Sequence, residues 1–490
     1  MSNFQKIRVL HRLAEPLSHN EATDQNRGPK RSHIGGRRTK VIASLGLIIV
    51  ILVALFAFLP RDNQTPDRDI PVDGASPQPT STNNALTDVF ENINNIIYDI
   101  KEPVSEIIPR KPGVLESATA IDSAVWQTVA TIAWRYYQPG IGVDRNSGLP
   151  WSGAGSPYIT DWDVGVYIQA VIDAENLGLI NRTGAWGFDE RINKILNWLE
   201  TRELNNGGYP YWFYRSDTGE NWRENSDKVP DDHADIADIG RLFVTLNNLR
   251  VDYPEYGPRV NNIAIHGQNY NRTNYTNIIP TLRDQAETDT NIYAYYIISG
   301  FAAFWPELLK DTPGKIIDNI FKAEYISVSG VMLPKTRISC EPMLCALFEI
   351  KNNDPRLKTL IDMTYEAHEA YYNISGKYRA FGEGPTDGSG DWQWEWVVLP
   401  DGRTWIALNS DQEPTDAAPM IYTKIAYSFL AIYNTNYTRN MCIYLERNLQ
   451  DPDNGFEHGI DENEKPLNGI GALTNGLILS AARYYIEKNT

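Results

Sequence analysis

Two kinds of helix-period segment alternate along most of the chain. Six begin with a few polar residues and continue as apolar helices, near Asp161 (DWDVGVYIQAVIDAENLG), Ala234 (ADIADIGRLFVTLNNL), Thr288 (TDTNIYAYYIISGFAAF), Glu341 (EPMLCALFEI), Thr415 (TDAAPMIYTKIAYSFLAIY) and Gly471 (GALTNGLILSAARYY). Between them lie one-sided segments near 118–137, 188–203, 256–268, 306–325, 355–374 and 436–448. A helix apolar on all sides belongs inside a fold, whereas a one-sided helix covers a core and turns its polar face to water. Six such pairs predict an all-α fold, an (α/α)6 toroid with an apolar inner ring and an amphipathic outer ring.

The connections break the symmetry of the pattern. Those from an apolar helix to the next amphipathic one are short, as in 252–255, 351–354 and 434–435. Those in the other direction run 138–160, 204–233, 269–287, 326–340, 375–414 and 449–470. The long loops therefore gather at one rim, beside the N-termini of the inner helices, and long loops on a rigid scaffold are where function concentrates. Two of them read as β-hairpins, 208–222 and 392–408, where alternating aromatics flank Asp-Thr-Gly and Pro-Asp-Gly turns.

Upstream the pattern changes. Residues 41–59 (VIASLGLIIVILVALFAFL) are uncharged and almost wholly apolar, close to the roughly 20 residues that cross a bilayer as a helix. Residues 1–40 carry nine basic and three acidic side chains, so a chain of net charge −17 holds −23 outside its basic tail and apolar run. Arg31, Arg37, Arg38 and Lys40 precede the run, which predicts a cytoplasmic tail (1–40), a single-pass anchor in the lipid bilayer (41–59) and an external remainder. The competing expectation is a cleaved signal peptide, but the apolar run is long for one and no A-x-A site follows. Pro, Ser, Thr and Asn dominate 60–114, which predicts a disordered stalk before a single large domain, 115–490. Asn63, Asn181, Asn271, Asn274, Asn373 and Asn436 open N-x-Ser/Thr sequons, usable on an external domain as glycosylation sites.

The acidic balance excludes a nucleic-acid partner for the main domain, since phosphate binding needs clustered Lys and Arg. Cys340, Cys345 and Cys442 imply neither a disulfide framework nor a zinc site, and no cofactor is expected. Asp144-x-Asn146-x-Gly148 contains part of a calcium-loop pattern but reads as a turn. His233 and His458 flank acidic clusters and are expected to be solvated or capping.

Carboxylates and aromatics crowd the rim segments. Glycoside hydrolysis requires that combination: one carboxylic acid protonates the leaving oxygen, a carboxylate activates water or attacks the sugar, and aromatic faces hold the rings. Many of these carboxylates must also serve as helix caps or dipole partners. Asp163 stands out because it follows Trp162 and lies just past the cap position of its helix; Glu341 opens another helix beside Pro342. The expected general acid is Glu341, and the expected base or substrate-orienting carboxylate is Asp163, with Asp235, Glu287 and Glu457 as further catalytic candidates. Trp162, Tyr211, Trp212, Trp394, Trp396 and Asp232 are the expected substrate-binding positions.

In serial order, AWRYYQP, SPYITDWDVGVYIQAVIDAENLGLI, YRSDTGENW, ADIADIGRLFVTLNNLRVDYPE, IYAYYIISGFAAFW, EPMLCALFEI, YTKIAYSFLAIYNTNYT and GFEHGIDENEKPLNGIGALTNGLILSA resemble the family called domain of unknown function 3131, over about 125–487. That family is similar in turn to glucoamylase-like (α/α)6 toroids, including the endo-acting β-1,2-glucanases. The resemblance implies a glycoside hydrolase-like protein with a polysaccharide partner and an inverting mechanism, and it carries Asp163, Asp238, Glu341 and Glu457 onto polar positions of the family. Two other functions remain open: a polysaccharide lyase on the same toroid, and a non-catalytic glycan receptor or envelope scaffold.

Overall fold

A computed structural model describes residues 121, 123–222, 233–265, 275–385, 392–449 and 453–489. The expected tail, anchor and stalk (1–114) lie outside the described residues, as does Asp232. Among the described residues no helix is long and apolar enough to cross a membrane.

The described part is mostly helical. Six helices, α2 (Asp161–Asn176), α4 (Ile236–Asp252), α6 (Ile292–Phe304), α8 (Cys340–Glu349), α10 (Thr423–Tyr433) and α12 (Ala472–Asn489), pack each against the next, and α12 returns to α2 to close a ring. Outside them lie α1 (Ser123–Tyr136) on α12, α3 (Phe188–Thr201) on α2, α5 (Gly257–Ala264) on α4, α7 (Thr312–Lys322) on α6, α9 (Pro355–Ser375) on α8 and α11 (Asn436–Asn448) on α10. The apolar segments form the inner ring because every side of them meets protein: α6, for example, buries ten of its thirteen residues. Contact between α4 and α6 is backbone to backbone. A Cβ on Gly300 would sit 2.0 Å from the Gly240 carbonyl oxygen, so only glycine permits the approach.

Polar groups tie the ring across its interior. Arg241 of α4 pairs with Glu349 of α8 (Nη2–Oε1 2.8 Å), which also takes the Tyr296 hydroxyl of α6. Asp173 of α2 receives Gln169 Nε2 (2.8 Å), and Ser480 and Arg483 of α12, while Arg483 Nη2 reaches the Phe348 carbonyl of α8 (2.7 Å). Asn248 of α4 joins Gln169 to the Glu349 carbonyl. Buried charges of this kind are stable only when paired, and Arg241 with Glu349 and Arg483 with Asp173 are.

All strands of the described residues fall on connectors leading into inner helices. β1 (Tyr158–Ile159) pairs with β2 (Tyr214–Arg215), and β3 (Tyr325–Val328) with β4 (Val331–Pro334). β5 (Glu383–Pro385), β6 (Trp392–Val398) and β7 (Thr404–Leu408) form one antiparallel sheet; β8 (Met420–Tyr422), β9 (Glu457–Asp461) and β10 (Pro466–Ile470) form another. The hairpin at 392–408 is therefore present. The one at 208–222 is present in shorter form: Tyr214 bridges Asn221 across the Asp-Thr-Gly turn, the Trp222 N–H donates to the Phe213 carbonyl (3.1 Å), and β2 also pairs with β1. The helix expected from Thr415 starts at Thr423, because 420–422 is engaged as a strand with β9 and Pro414 and Pro419 precede it. An additional helix, Ile279–Ala286, lies within the 269–287 loop.

Candidate active site

The N-terminal ends of α2 and α4 bring one group of acids together. Thr160 caps α2 with its side chain, and Asp163, three residues on, accepts the Thr160 N–H (3.0 Å) in a reciprocal capping box. Asp163 thus does the capping work the sequence allowed it, yet it is also buried, and burial pushes its carboxyl up to about 6 against the bonds from Thr160 and the charge of Arg241. Asp161 is spoken for by a buried two-point pair with Arg202. Asp235 caps α4, accepting from Ala237 N–H (2.7 Å). Burial raises Asp238 well above the usual carboxylate range, and repulsion from Asp235, Asp163 and Asp161 adds to it. Trp162, between Asp161 and Asp163 in the chain, has Arg241 over its ring (4.8 Å to the centroid) and Tyr296 at its edge.

On the facing side of the ring, α8 and α10 hold a second group. Glu341, fully buried in the first turn of α8, gives one oxygen to Lys424 Nζ (2.6 Å) and to the Glu383 N–H (3.0 Å). Lys424, in the first turn of α10 and 1 % exposed, also donates to the Glu383 carbonyl (2.7 Å). The ion pair therefore grips both backbone groups of Glu383. That leaves the Glu383 carboxyl, on β5, as the uncompensated acid: burial first, and then the Glu341 charge, push it up to about 8, against the pull of Lys424. Deeper still, Glu395 on β6 is wholly buried, accepts from the Met420 N–H (2.7 Å), and is raised well above the usual range by burial. One oxygen each of Glu341 and Glu395, with the Tyr422 and Tyr293 hydroxyls and the Gln393 amide, are buried polar atoms without a regular protein partner. His458 bonds Thr474 through Nδ1 (2.9 Å), and desolvation, with the Lys424 charge, holds its ring neutral, at about 3.

The ring order sets the geometry of the two groups. α2 and α8 are three places apart in a closed ring of six, so the helix starts that carry Asp163 and Glu341 lie on opposite sides of the ring.

The remaining expected residues divide. Glu457 begins β9, almost buried, in the sheet whose β8 leads into Lys424. Trp394 is half-buried on β6, with Trp392 beyond it 39 % exposed. Trp396, on the same strand face, is fully buried against Tyr293 and Arg337. Alternation correctly puts the three tryptophans on one face, but the strand descends from the rim into the core, so Trp396 is a wall residue instead of an exposed platform. Tyr211 and Trp212 are half-buried, and Trp212 packs on Phe213 and His233. Glu287 stays out of the group: it ends the helix Ile279–Ala286 and is exposed, paired with Lys315 of the outer helix α7. His458, expected to be solvated or capping, stands beside Lys424 instead.

Sequence reasoning passed over Lys424, Glu395 and the special position of Glu383. Lys424 had a signal, since a lone lysine in the first turn of an otherwise apolar helix must find a buried partner. Glu395 and Gln393 had a weaker one. They alternate with the tryptophans of WQWEW, which reads as a solvated face unless both faces of the strand are known to be covered.

The chain belongs to the family described as protein of unknown function DUF3131, whose family model matches residues 128–296 and 322–488. No curated protein matches it in sequence. Among solved structures it is similar to a proposed glucoamylase from Bacteroides caccae (15 % identity, TM-score 0.50, 75 % of this chain and 94 % of that one). It is also similar to an endo-β-1,2-glucanase from Chitinophaga pinensis in complex with sophorotriose and glucose (12 % identity, TM-score 0.50, 75 % and 93 %). At these identities the likeness is one of fold, a glucoamylase-like toroid.

Proposed function

We propose that this chain is a glycoside hydrolase acting on a neutral polysaccharide outside the cytoplasmic membrane, held there by residues 41–59 as a single-pass anchor. The observation that supports the catalytic part is a pair of buried carboxyls on opposite sides of the ring, Asp163 at about 6 and Glu383 at about 8. Near neutral pH the first is mostly ionised and the second mostly protonated, and carboxyls pushed apart in this way define an acid and a base. Glu383 would donate its proton to the leaving glycosidic oxygen while Asp163 removes one from the attacking water. Glu341, together with Lys424, then holds the donor in place. Trp392 and Trp394 would carry sugar rings on the Glu383 side, and Trp212 and Tyr211 on the other. The acidic rim favours an uncharged chain over a polyanion, and the fold neighbour makes β-1,2-glucan the first substrate to try.

The test is release of new reducing ends from a panel of neutral glycans by the purified chain. Glu383→Gln and Asp163→Asn should each lower kcat by about 10²- to 10⁴-fold, the usual worth of a general acid or base. Hydrolysis that survives both substitutions would remove the site assignment. Unsaturated, ultraviolet-absorbing products would indicate a lyase, and binding without product from any glycan would leave a non-catalytic receptor.

A further inference from the structure

The opening of α6 carries three tyrosines, and two of them are built into the scaffold. The Tyr295 hydroxyl accepts the Asp354 N–H (2.8 Å), and the Tyr296 hydroxyl donates to Glu349. Tyr293 is different. It is 3 % exposed, and its hydroxyl is buried without a protein partner of regular geometry. A ring needed only for packing would be a phenylalanine there, since a buried unpaired hydroxyl is costly.

Backbone pairing sets where this hydroxyl goes. Asn291 caps α6, accepting the Tyr293 N–H (3.1 Å), and bridges Arg337, while the next residue, Ile338, bridges Val398 at the end of β6. The start of α6 is thus tied to β6, and the Tyr293 ring meets Trp396 edge-on, with centroids 5.7 Å apart. Trp396 shares its strand face with Trp394, and Trp394 lies directly opposite Glu383 in the pairing of β5 with β6, so these side chains project to one side of the sheet. On that side the Tyr293 hydroxyl comes within hydrogen-bonding reach of the Glu383 carboxyl, which the Trp392 side chain also bonds. The other charged and titratable groups around Glu383 are Glu341 of α8, Lys424 of α10 and Tyr422 of β8. Glu341 and Lys424 pair with each other and bond the Glu383 backbone, and Tyr422 lies against Gly384, on the opposite face of β5 from the acid.

We propose that Tyr293 is the positioning residue of the proton donor: its hydroxyl bonds the Glu383 oxygen that does not carry the proton, leaves the O–H on the other oxygen, and steadies the carboxylate formed when that proton passes to the glycosidic oxygen. This rests on Glu383 being the donor. The transfer breaks the Glu383 O–H bond and forms one to the leaving oxygen, while Tyr293 keeps its own proton. Burial, with the Glu383 and Glu341 charges, pushes the Tyr293 hydroxyl well above the usual tyrosine range, so it donates a bond without ionising. A donor aimed where charge develops lowers the barrier to the transfer.

Tyr293→Phe keeps the ring and its packing, and it is compared with the native chain and with Glu383→Gln. Loss of a bond that favours the ionised acid raises Glu383 beyond about 8, so the fall of melting temperature with rising pH should move to higher pH, a readout that needs no substrate. On a glycan that the native chain hydrolyses, kcat should fall about tenfold, the worth of a hydrogen bond to a charged group, with KM unchanged. The basic limb of the pH–rate profile should move in the same direction as the melts. Melts that coincide with the native series, while Glu383→Gln flattens it, would give the hydroxyl to the free oxygen of Glu341 and overturn the role. Shifted melts with kcat intact would overturn it too. Hydrolysis unaffected by Glu383→Gln, or no glycan hydrolysed at all, would instead remove the donor, and with it anything for Tyr293 to position.

Discussion

Glu383 and Lys424 show what a residue's surroundings add to its chemistry. Either side chain alone is ordinary; the difference lies in Lys424 committing its charge to Glu341, so that Glu383 must keep a proton in a dry site. This has a consequence for stability. In the unfolded chain Glu383 loses its proton above its ordinary value of 4.5, whereas the folded protein holds it to about 8. Its stabilising contribution is therefore complete below about 4.5 and disappears as pH rises to about 8. Asp163 acts in the same direction up to about 6. His458 and His368 act oppositely: their folded values, about 3 and about 4, lie below the ordinary 6.5, so their contribution is lost as pH falls through that interval. Melting temperature should accordingly peak in mildly acid solution and decline toward pH 8. Glu383→Gln, which has no proton to lose, should flatten the decline in a pH series of thermal melts. An unchanged slope would show that Glu383 titrates normally. None of this was legible in the sequence, where Glu341, Glu383 and Lys424 lie 42 and 41 positions apart and nothing marks them as neighbours.

Local sequence decides more at the level of the helix and the strand. Thr160, Asp163 and the apolar run after them predict a helix start, and the capping box is there. Asn436–Asn448 coincides with its amphipathic segment, and five of the six apolar helices begin within about four residues of their expected starts. The sixth fails at 415–422 because a strand partner, β9, outcompetes the helix for those residues. Thr160→Ala should cost about 1 kcal/mol of stability through the lost cap. It should also raise the Asp163 carboxyl further, since the Thr160 hydroxyl bond that it removes favours the ionised form, although the backbone bond stays. In a pH–rate profile the acidic limb would then move to higher pH, a shift that a purely structural cap would not produce. Unchanged limbs with lowered stability would leave Asp163 as a cap alone.

Across the whole molecule, the ring works as one unit because its closure is both apolar and polar. Asp173, Arg241, Glu349 and Arg483 link four of the six inner helices through its interior, and that closure sets the two acid groups on opposite sides of the ring. The proposed anchor belongs to this scale too. The full chain produced in cells should stay with membranes through high-salt washing, and protease added outside should digest the main domain while sparing the first 40 residues. Release into the soluble fraction would remove the anchor from the proposal.

Periodicity by itself determined the twelve ring helices, the pairing of apolar with amphipathic segments and the single rim of long loops, because burial on all sides or on one is written directly into the order of apolar residues. It also placed Asp163 and Glu341 at helix starts on that rim, while the family likeness rested on the ordered motifs along the chain. Tertiary structure alone decided which of those acids is neutralised, which is left to hold a proton, and that Trp396 is inside and Glu287 outside. Those are properties of contacts between segments far apart in sequence, and the free energy of a charge depends on what surrounds it in space.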